Sequence, residues 1–462
     1  MTETGKLVDE VRNPWYHRWA GLPGEWRRRY RSLNDRQRRQ VGVVVRALVV
    51  IGLFFVGWPL ALFVAVVFLV NYLLPQVPAP WSRFNRFVIP TVVAVVALLY
   101  PLYVDQLGTM ALLGDYPALG TMVIMGVYAM MAVGLNIVVG YAGLLDLGYV
   151  AFYAMGSYTV AWFASVQFAH RNFHFGAVGV GSSTPGIHIS VWILLVLAGM
   201  LTLIVGVLIG LPTLRLRGDY LAIVTLGFGE ILPQVARNGD SLGGFNLTNG
   251  PNGITPIDPP GFGHVNFLSG SGTFWTSERL FFWGVFVLVA ITVFCSLRLR
   301  DSRIGRAWIA IREDETAAAA MGIPLMRTKT WAYATGAFFG GVAGAYFASF
   351  KQSTFPNDFS FNISAFILSM VILGGMGNVW GVVFGACFLA FLNQQGLADI
   401  GHSINNTFGT TLDVPKYQFG IYGIIIVATM LLRPAGLIPS QRRKAEFHEG
   451  VADTPLYDVQ HE

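Results

Sequence analysis

The sequence predicts an all-α, polytopic integral membrane protein with about 10–12 transmembrane helices, some of them broken or re-entrant. The 462 residues are 54% hydrophobic and only 12% charged, whereas soluble domains carry about 25% charged residues. Apolar runs close to the ~20 residues that cross a hydrocarbon core recur along the chain. The basic residues gather between these runs and at both ends, as the positive-inside rule describes. This distribution argues against a nucleic-acid partner for the net charge of +6.

The N-terminal part of the chain divides into a polar and an apolar segment. Residues 1–40 are basic and include WRRRYRSLNDRQRRQ, so we expect a cytoplasmic segment. The apolar stretch 41–74 is too long for one span at about 1.5 Å per residue, and a Gly-Trp-Pro triplet interrupts it. A transmembrane hairpin over 41–86 is preferred to a single tilted span, because it keeps Arg83 and Arg86 on the cytoplasmic side.

The main transmembrane domain is expected over 87–440, followed by a flexible cytoplasmic tail over 441–462. If the N-terminus lies inside, the basic loop 298–329 also lies inside, and the long loop 237–278, rich in Gly and Asn, lies outside. Both termini are then cytoplasmic. The apolar runs that predict spans in this domain are 87–104, 117–140, 143–166, 189–211, 219–236, 279–297, 330–350, 362–376, 378–395 and 417–433.

Glycine-rich sequences adjoin two short apolar runs. GYAGLLDLGY (140–149) and GGMGNVWG (374–381) have the composition of broken helices that line a translocation path, although glycine also permits close helix packing. For 140–149 both interpretations stay open. In GAFFGGVAG, Gly336, Gly340 and Gly344 fall on one helical face, and this spacing favours packing.

Polar side chains within the apolar runs are the candidates for a translocation path, because burying them in hydrocarbon is costly. These residues are Asn136, Asp146, Tyr149, Thr225 and Glu230. Asp146 has an alternative role as the cap of the following helix, whose free N–H groups attract a carboxylate. Glu230 could instead pair with a neighbouring helix or lie at the outer interface.

The sequence offers no constellation for catalysis. It contains neither a GxxxxGK[ST] phosphate loop nor a GxSxG nucleophile elbow. The histidines show no metal-ligand spacing apart from the weak pair His170 and His174, since a separation of four residues alone is not specific. We therefore expect no catalytic residue, no metal site, no cofactor bound to this chain and no enzymatic activity.

The basic loop 298–329 carries a predicted amphipathic helix. GRAWIAIREDETAAAAMGI (305–323) combines helix-forming residues with acidic and basic side chains. Gly322, followed by Ile and Pro, is expected to end this helix. The mixed charge favours contact with a soluble protein over a position on lipid headgroups, where a basic face is typical.

Several long segments, extending from about residue 117 to 439, resemble one known family. They are GLNIVVGYAGLLDLGYVAFYAMGSYTVAWF (134–163), LRLRGDYLAIVTLGFGEIL (214–232), NGPNGI (249–254), GRAWIAIREDETAAAAMGI (305–323), SAFILSMVILGGMGNVWG (364–381) and RPAGLIP (433–439). The chain resembles the permease subunits of branched-chain amino acid ABC importers, of the LivM type. The outer loop departs from the family's shorter GGPNGI form by an insertion in SLGGFNLTNGPNGI (241–254).

The resemblance implies that 305–323 is a cytoplasmic coupling helix that engages an ATPase. The family's Glu-Ala-Ala-type loop maps onto Glu315, Ala317, Ala318 and Gly322. Together with the charged residues around them, the expected coupling residues are Gly305, Arg306, Arg312, Glu313, Asp314, Glu315, Ala317, Ala318 and Gly322.

The same resemblance implies a complex in the lipid of the bacterial cytoplasmic membrane. A LivH-type permease would form a heterodimer with this chain, and two cytoplasmic ATPase subunits would bind ATP and Mg²⁺. An extracytoplasmic binding protein would deliver Leu, Ile or Val for transport by alternating access. Two alternatives stay open. One is an ABC permease for urea or short amides, and the other is an ion-coupled secondary transporter, for which only Glu230 and Asp146 offer intramembrane carboxylates.

Overall fold

The computed structural model describes the chain between residues 95 and 438, with gaps. The described ranges are 95–104, 109–110, 114–181, 183–216, 219–241, 246–262, 265–268, 275–409, 411, 413–432 and 436–438. The predictions for the basic segment 1–40, the hairpin 41–86 and the tail 441–462 therefore concern residues outside the described part.

Helices make up most of the described chain. They are α1 (95–103), α2 (Leu119–Leu135), the π-helical turn π1 (Asn136–Tyr141), α3 (Val150–Phe163), α4 (Val191–Thr213), α5 (Asp219–Arg237), α6 (Ser277–Asp301), α7 (Arg303–Glu313), α8 (Glu315–Ala320), α9 (Leu325–Lys351), α10 (Phe361–Gly374), α11 (Val379–Phe391), π2 (Leu392–Gly396), α12 (Leu397–Phe408) and α13 (Gln418–Leu432). The strands are β1 (Thr109–Met110), β2 (Gly114–Asp115), β3 (Ala164–Ser165), β4 (Asn172–Phe175), β5 (Gly186–Ile189), β6 (Gly261–Phe262) and β7 (Val265–Asn266). Of the described residues, 100–104 and those from 114 to 438 belong to one compact unit, which contains α2 to α13.

Several of these helices can cross a bilayer. Among the described residues, five helical segments are long and apolar enough: Leu119–Tyr141, Val191–Thr213, Ser277–Asp301, Val379–Asn406 and Val414–Leu432. The shorter helix α10 is also apolar, and α3, α5 and α9 lie at three further predicted spans. The predicted helical, multi-pass fold class is confirmed.

Glycines set two helix ends that the sequence placed differently. α3 begins at Val150, later than the predicted start at 143, and α10 ends at Gly374, before the predicted end at 376. Gly143 has a φ of 70°, and Gly375 has a φ of 110°. Positive φ interrupts a right-handed helix, so the glycine-rich sequences form turns at these points.

Helix α9 lies at the centre of the packed helices. α3 runs parallel to it, since Tyr149 Oη donates to the Gly336 carbonyl (2.8 Å) and Ser157 Oγ donates to the Gly344 carbonyl (2.8 Å). α4 packs along the same helix. A Cβ atom on Gly340 would lie 3.1 Å from the Tyr149 ring, so the close approach needs glycine. The predicted packing role of this small-residue face is confirmed.

Helices α2 and α11 lie antiparallel, and a π-helical turn follows each of them. Asn136 in π1 accepts a hydrogen bond at Oδ1 from the amide of Gly377 (2.8 Å), two residues before α11 begins. Gln395 in π2 accepts at Oε1 from the amide of Ala118 (3.2 Å), the residue before α2. Each helix is therefore held near its start by the side chain that its partner presents from a π turn, a feature frequent at functional sites.

The two ends of this helical unit differ in composition. We call residues 298–329 and 374–381 the basic end. The opposite end of the helices, which includes residues 164–190 and 246–268, is called the strand end. The strand end adds a small sheet to the helical fold, in which β5 pairs antiparallel with β3 and parallel with β4. GIHI and NFHF in these strands suit a pleated segment, whose side chains alternate between two faces.

The sheet places an ionisable pair in the strand end. His188 on β5 is buried, and its Nδ1 lies 2.7 Å from Asp258 Oδ2. The ring of His174 on β4 stacks on His188 with centroids 4.8 Å apart. Burial raises the pKa of Asp258, although its hydrogen bond with His188 acts in the opposite direction.

Candidate functional site

The basic end carries two short helices where the sequence predicted one helix over 305–323. Asp314 has an extended backbone (φ −152°, ψ 112°) and separates α7 from α8. Its Oδ1 accepts hydrogen bonds from the amides of Thr316 (2.8 Å) and Ala317 (3.0 Å). An aspartate is a strong N-cap and a poor interior helix residue, which explains the break. The predicted helix end at Gly322, whose φ is 84°, is confirmed.

Electrostatics at this cap favour the ionised carboxylate. Hydrogen bonds from the Thr316 hydroxyl and from the amides of Ala317 and Thr316 lower the pKa of Asp314. The negative charge also meets the positive end of the α8 dipole, although a helix this short contributes little.

Helix α7 is fixed to the transmembrane helices by its apolar face. Trp308 is fully buried, and its Nε1 donates to the Thr328 carbonyl near the start of α9 (2.8 Å). Ile311 is also buried. A Cβ on Gly305 would collide with the carbonyls of Leu299 and Arg300 at the end of α6. Helix α7 is therefore packed directly on the end of α6 and the start of α9.

Arg312 reaches from α7 into a slot walled by glycines. Its Nη1 donates to the carbonyl of Gly140 in π1 at 2.6 Å. A Cβ on Gly143 would lie 2.8 Å from Arg312 Cγ, and one on Gly377 would lie 3.3 Å from Nη1. We call Gly140, Gly143 and Gly377 the glycine slot. The guanidinium satisfies a carbonyl that the π turn leaves available, and so links α7 to the end of α2.

Asn136 lies beside this slot and is fully buried. Its Oδ1 accepts from the Gly377 amide, and its Nδ2 has no hydrogen-bond partner among the described residues. A Cβ on Gly140 would collide with the Asn136 amide oxygen. Arg312, π1 and the turn before α11 therefore form one connected polar cluster at the basic end.

A buried ion pair gives the second connection. Lys329 Nζ on α9 lies 2.7 Å from Glu315 Oε1 on α8, and the two side chains are 5% and 29% exposed. Arg312 and Glu315, both predicted as coupling residues, thus contact this chain itself. Gly305 and Ala318 are also buried.

The remaining predicted coupling residues are exposed to solvent at this end. These are Arg306, Glu313, Asp314, Ala317 and Gly322. Met321, which was not among the predicted coupling residues, is 83% exposed next to Gly322. A long apolar side chain at a helix end, surrounded by charged residues, is typical of a protein contact. We call Glu313, Asp314, Ala317, Met321 and Gly322 the docking surface.

Three of the five candidate path residues lie in one region, but the five do not form a single site. The Leu147 amide donates to Thr225 Oγ1 (3.1 Å) on α5, so Thr225, Asp146 and Tyr149 belong to one packed region around 146–149. Asp146 is buried and accepts at Oδ1 from the Gly148 amide (2.9 Å). It does not cap α3, contrary to the alternative considered for it, because its hydrogen bond closes a local turn.

The cap of α3 comes from a distant helix. The Val150 amide, the first of α3, donates to Ser364 Oγ on α10 (2.9 Å). Serine is common in apolar runs, so no local pattern pointed to this contact. The turn over 142–149 is therefore held by the side chains of α5 and α10.

Glu230 lies apart from the other four candidates, on the exposed face of α5. Tyr220 and Ile223 on the same face are 72% and 65% exposed, and a Cβ on Gly227 would meet nothing within 4 Å. A carboxylate in direct contact with lipid is unfavourable. This face therefore suits a second subunit or a polar path. Among the described residues, no group of three His, Cys, Asp or Glu side chains could hold a metal ion.

Comparison with known proteins finds relatives described as permeases of branched-chain amino acid transport. A family model described as the permease component of branched-chain amino acid transport systems matches residues 118–430. The high-affinity branched-chain amino acid permease LivM of Escherichia coli is 34% identical over 397 residues, covering 83% of this chain and 81% of the relative. LivM of Salmonella typhimurium is 36% identical over 341 residues, covering 71% of each.

More distant relatives include both types of permease. A probable LivM permease of Methanocaldococcus jannaschii is 26% identical over 334 residues, covering 68% of this chain and 91% of the relative. A probable LivH permease of the same organism is 26% identical over 165 residues, covering 35% and 48%. No solved structure matches the chain significantly.

Proposed function

The chain belongs to the family of permease components of branched-chain amino acid transport systems, and from this premise we propose how its geometry serves import. The chain is a multi-pass permease of an ABC importer, and its activity is transport. LivM and LivH relatives indicate that such permeases work as a pair. A LivH-type subunit is the proposed partner, and Leu, Ile and Val are the proposed substrates.

The basic end is proposed to face the bacterial cytoplasm, together with both termini. The density of arginine in 298–329 supports this orientation, since cytoplasmic loops carry the excess of basic residues. The strand end then lies outside. There, an extracytoplasmic binding protein would dock and release its amino acid.

The ATPase would act on this chain through the docking surface. Two cytoplasmic ATPase subunits, which hold ATP and Mg²⁺, would engage one permease each, and the exposed Met321 is the proposed central contact on this chain. Apolar anchors inside a charged rim carry most of the binding energy in typical interfaces. The acidic cap at Asp314 adds a negative group to that rim.

The observation that carries this proposal is the hydrogen bond from Arg312 to Gly140. It joins the helix next to the docking surface to π1, and π1 is joined to the start of α11 through Asn136. Closure of the ATPase pair would pull α7, and the glycine slot would transmit that movement to α2 and α11. Without such a link, binding at the surface would leave the spans where they are.

The substrate path is proposed to follow the exposed face of α5, opposite the second permease. Glu230 would face the ammonium group of the amino acid as it passes. The path has few other polar groups, so we expect weak substrate binding by the permease and selection mostly by the binding protein. Sub-micromolar leucine binding to the purified permease pair, measured by calorimetry, would contradict this.

The test separates docking from transport. Radiolabelled leucine uptake is measured in cells that express every subunit, together with co-purification of the ATPase. Met321→Asp should abolish both, because a carboxylate replaces the apolar anchor. Met326→Asp, an exposed methionine at the start of α9 outside the docking surface, is the matched control and should retain both.

Substrate identity is tested in the same cells by competition. Unlabelled isoleucine and valine should reduce leucine uptake, whereas urea and acetamide should not. Uptake and co-purification that survive Met321→Asp would contradict the docking surface. Competition by urea alone would favour the short-amide alternative.

A further inference from the structure

An apolar groove lies between α4, α6 and α9, on the outer surface of the helices. Its volume is about 390 Å³. Leu203 from α4, Phe294 from α6, and Phe338 and Phe339 from α9 form most of its wall. Phe294 is more than half exposed, so the groove is open towards the surrounding membrane. An open apolar groove on a membrane-facing surface is filled by hydrocarbon, since water has no polar partner there.

One charge lies at the basic end of this groove. Arg298 is exposed, and its Cζ lies 5.3 Å from the centroid of the Phe294 ring. The nearby Asp301 carboxylate is held by Arg300 Nε at 2.9 Å. Within the described part of the chain, no carboxylate pairs directly with Arg298, and the Asp301 charge acts on it only at longer range. The hydroxyl of Thr335 in the groove already donates to carbonyls of its own helix. The groove therefore offers an apolar channel that ends in one available guanidinium.

We propose that this groove binds one anionic phospholipid, with an acyl chain between the helices and its phosphate on Arg298. The proposal uses the orientation argued above, which places Arg298 at the cytoplasmic leaflet, where anionic lipids are concentrated. Basic pockets between transmembrane helices on that side bind anionic headgroups. A guanidinium also presents two parallel donors to phosphate oxygens, which a zwitterionic lipid with its own ammonium group uses less well.

The position of the groove gives the lipid a role in coupling. Leu299, which also lines the groove, accepts at its carbonyl from the Ser302 amide (3.2 Å) and the Ser302 hydroxyl (2.6 Å). Ser302 in turn caps α7 through the Gly305 amide (3.1 Å). A lipid packed on Leu299 and bound to Arg298 supports the joint between α6 and α7, and so keeps the docking surface in position.

The native cysteines allow a direct test. Cys295 lines the groove one turn from Arg298, and Cys387 is the only other cysteine in the chain. The full chain with Cys387→Ala is placed in nanodiscs of phosphatidylcholine, with or without phosphatidylglycerol. We measure the rate at which N-ethylmaleimide alkylates Cys295. Phosphatidylglycerol should slow the reaction severalfold, because a lipid held at Arg298 leaves the groove less often than phosphatidylcholine and keeps the thiol covered for longer.

Charge variants identify the headgroup contact. Arg298→Gln should remove the protection, whereas Arg327→Gln, which deletes an exposed charge at the same end but outside the groove, should retain it. Protection that persists in Arg298→Gln, or that phosphatidylcholine gives equally, would overturn the proposal. So would protection by inorganic phosphate alone. A thiol that is equally unreactive in every lipid would also count against the proposal, because its coverage would then not depend on the headgroup. The readout needs no transport, so its failure leaves the importer proposal intact.

Discussion

The basic end and the strand end hold the same antiparallel helix pair by the same kind of contact, but they differ in how tightly. At the basic end, fully buried Asn136 binds the Gly377 amide at 2.8 Å. At the strand end, partly exposed Gln395 binds the Ala118 amide at 3.2 Å and lies 3.5 Å from Thr121 Oγ1. Water can replace the second contact and cannot easily replace the first.

The ion pairs at the two ends also differ in burial. Lys329 and Glu315 at the basic end are largely buried, at 5% and 29% exposure. Lys351 and Asp358, at the opposite end of α9, are 36% and 23% exposed with an Nζ–Oδ2 distance of 2.6 Å. At the basic end, Arg312 also joins α7 to the π1 turn. We infer that the basic end, which is proposed to face the ATPase, is stiff enough to transmit force, whereas the other end can yield.

The largest expected effect comes from the buried ion pair. Glu315→Ala leaves the Lys329 ammonium buried without a partner, and breaking such a pair costs about 3–5 kcal/mol. Partial exposure of Glu315 places the expected loss near 3 kcal/mol. Asp358→Ala at the other end should cost only about 1 kcal/mol, because the Lys351 ammonium that it leaves behind is 36% exposed and can be hydrated, although the Phe355 amide also loses its acceptor. Thermal unfolding of both variants in one detergent measures the difference. Equal losses would remove the distinction between the two ends.

The next effect concerns Arg312. Arg312→Ala removes a hydrogen bond from a charged donor, which contributes about 1.5–3 kcal/mol. Leucine uptake should fall on the order of tenfold, while the ATPase still co-purifies because the docking surface is unchanged. Arg327→Ala, which deletes an exposed positive charge at the same end and is not among the predicted coupling residues, is the control and should transport normally. Wild-type uptake by Arg312→Ala would show that force does not pass through the glycine slot.

A smaller effect is the difference in stability between variants of π1 and π2. Asn136→Ala leaves the buried Gly377 amide without an acceptor, at a cost of about 1–3 kcal/mol. Gln395→Ala exposes the Ala118 amide to water, and the expected loss is about 0.5–1.5 kcal/mol. Thermal unfolding of the two alanine variants gives the ranking. If Gln395→Ala is the more damaging change, the strand end is the tighter of the two.

The smallest effect is a difference in pH dependence. Hydrogen bonds lower the folded-state pKa of Asp314, so its contribution to stability is present above the unfolded value of about 3.9 and is lost as the pH falls through the folded pKa. Burial raises the folded-state pKa of Asp258. Its contribution is present below about 3.9 and is lost as the pH rises through the folded pKa.

The two carboxylates should therefore shift the pH profile of thermal unfolding in opposite directions. Asp314→Asn should lose stability relative to wild type mainly above the unfolded pKa. Asp258→Asn should gain relative stability as the pH rises, apart from the loss of its hydrogen bond with His188. Profiles that change in the same direction for both variants would contradict the opposite pKa shifts of Asp314 and Asp258.

Local sequence features predicted a large part of the fold. Apolar runs located the helices, and the repeated small residues of α9 predicted its packing, because both signals depend on neighbours within a few turns. Gly322 ends the helical segment of 305–323 as expected. Asp314 also carried a local signal, since a cap residue followed by Glu-Thr-Ala-Ala could have been read as a second helix start.

The contacts of the candidate site could not be predicted in the same way. Asn136 and Gly377 are 241 residues apart, and Arg312 and Gly140 are 172 residues apart. No periodicity connects such positions. The charged residues of 305–323 looked equivalent in the sequence, yet Arg312 and Glu315 turn inward and Glu313 and Asp314 face solvent.

The sequence by itself determined the class of this protein, the order of its membrane helices and the family to which it belongs. Those properties depend on composition, on local hydrophobic pattern and on long matching segments. Only the tertiary structure decided which polar side chains connect the helices and which stay available to partners. A buried polar group must find its hydrogen-bond partner wherever packing brings one, and that choice is made between elements that are distant in the chain.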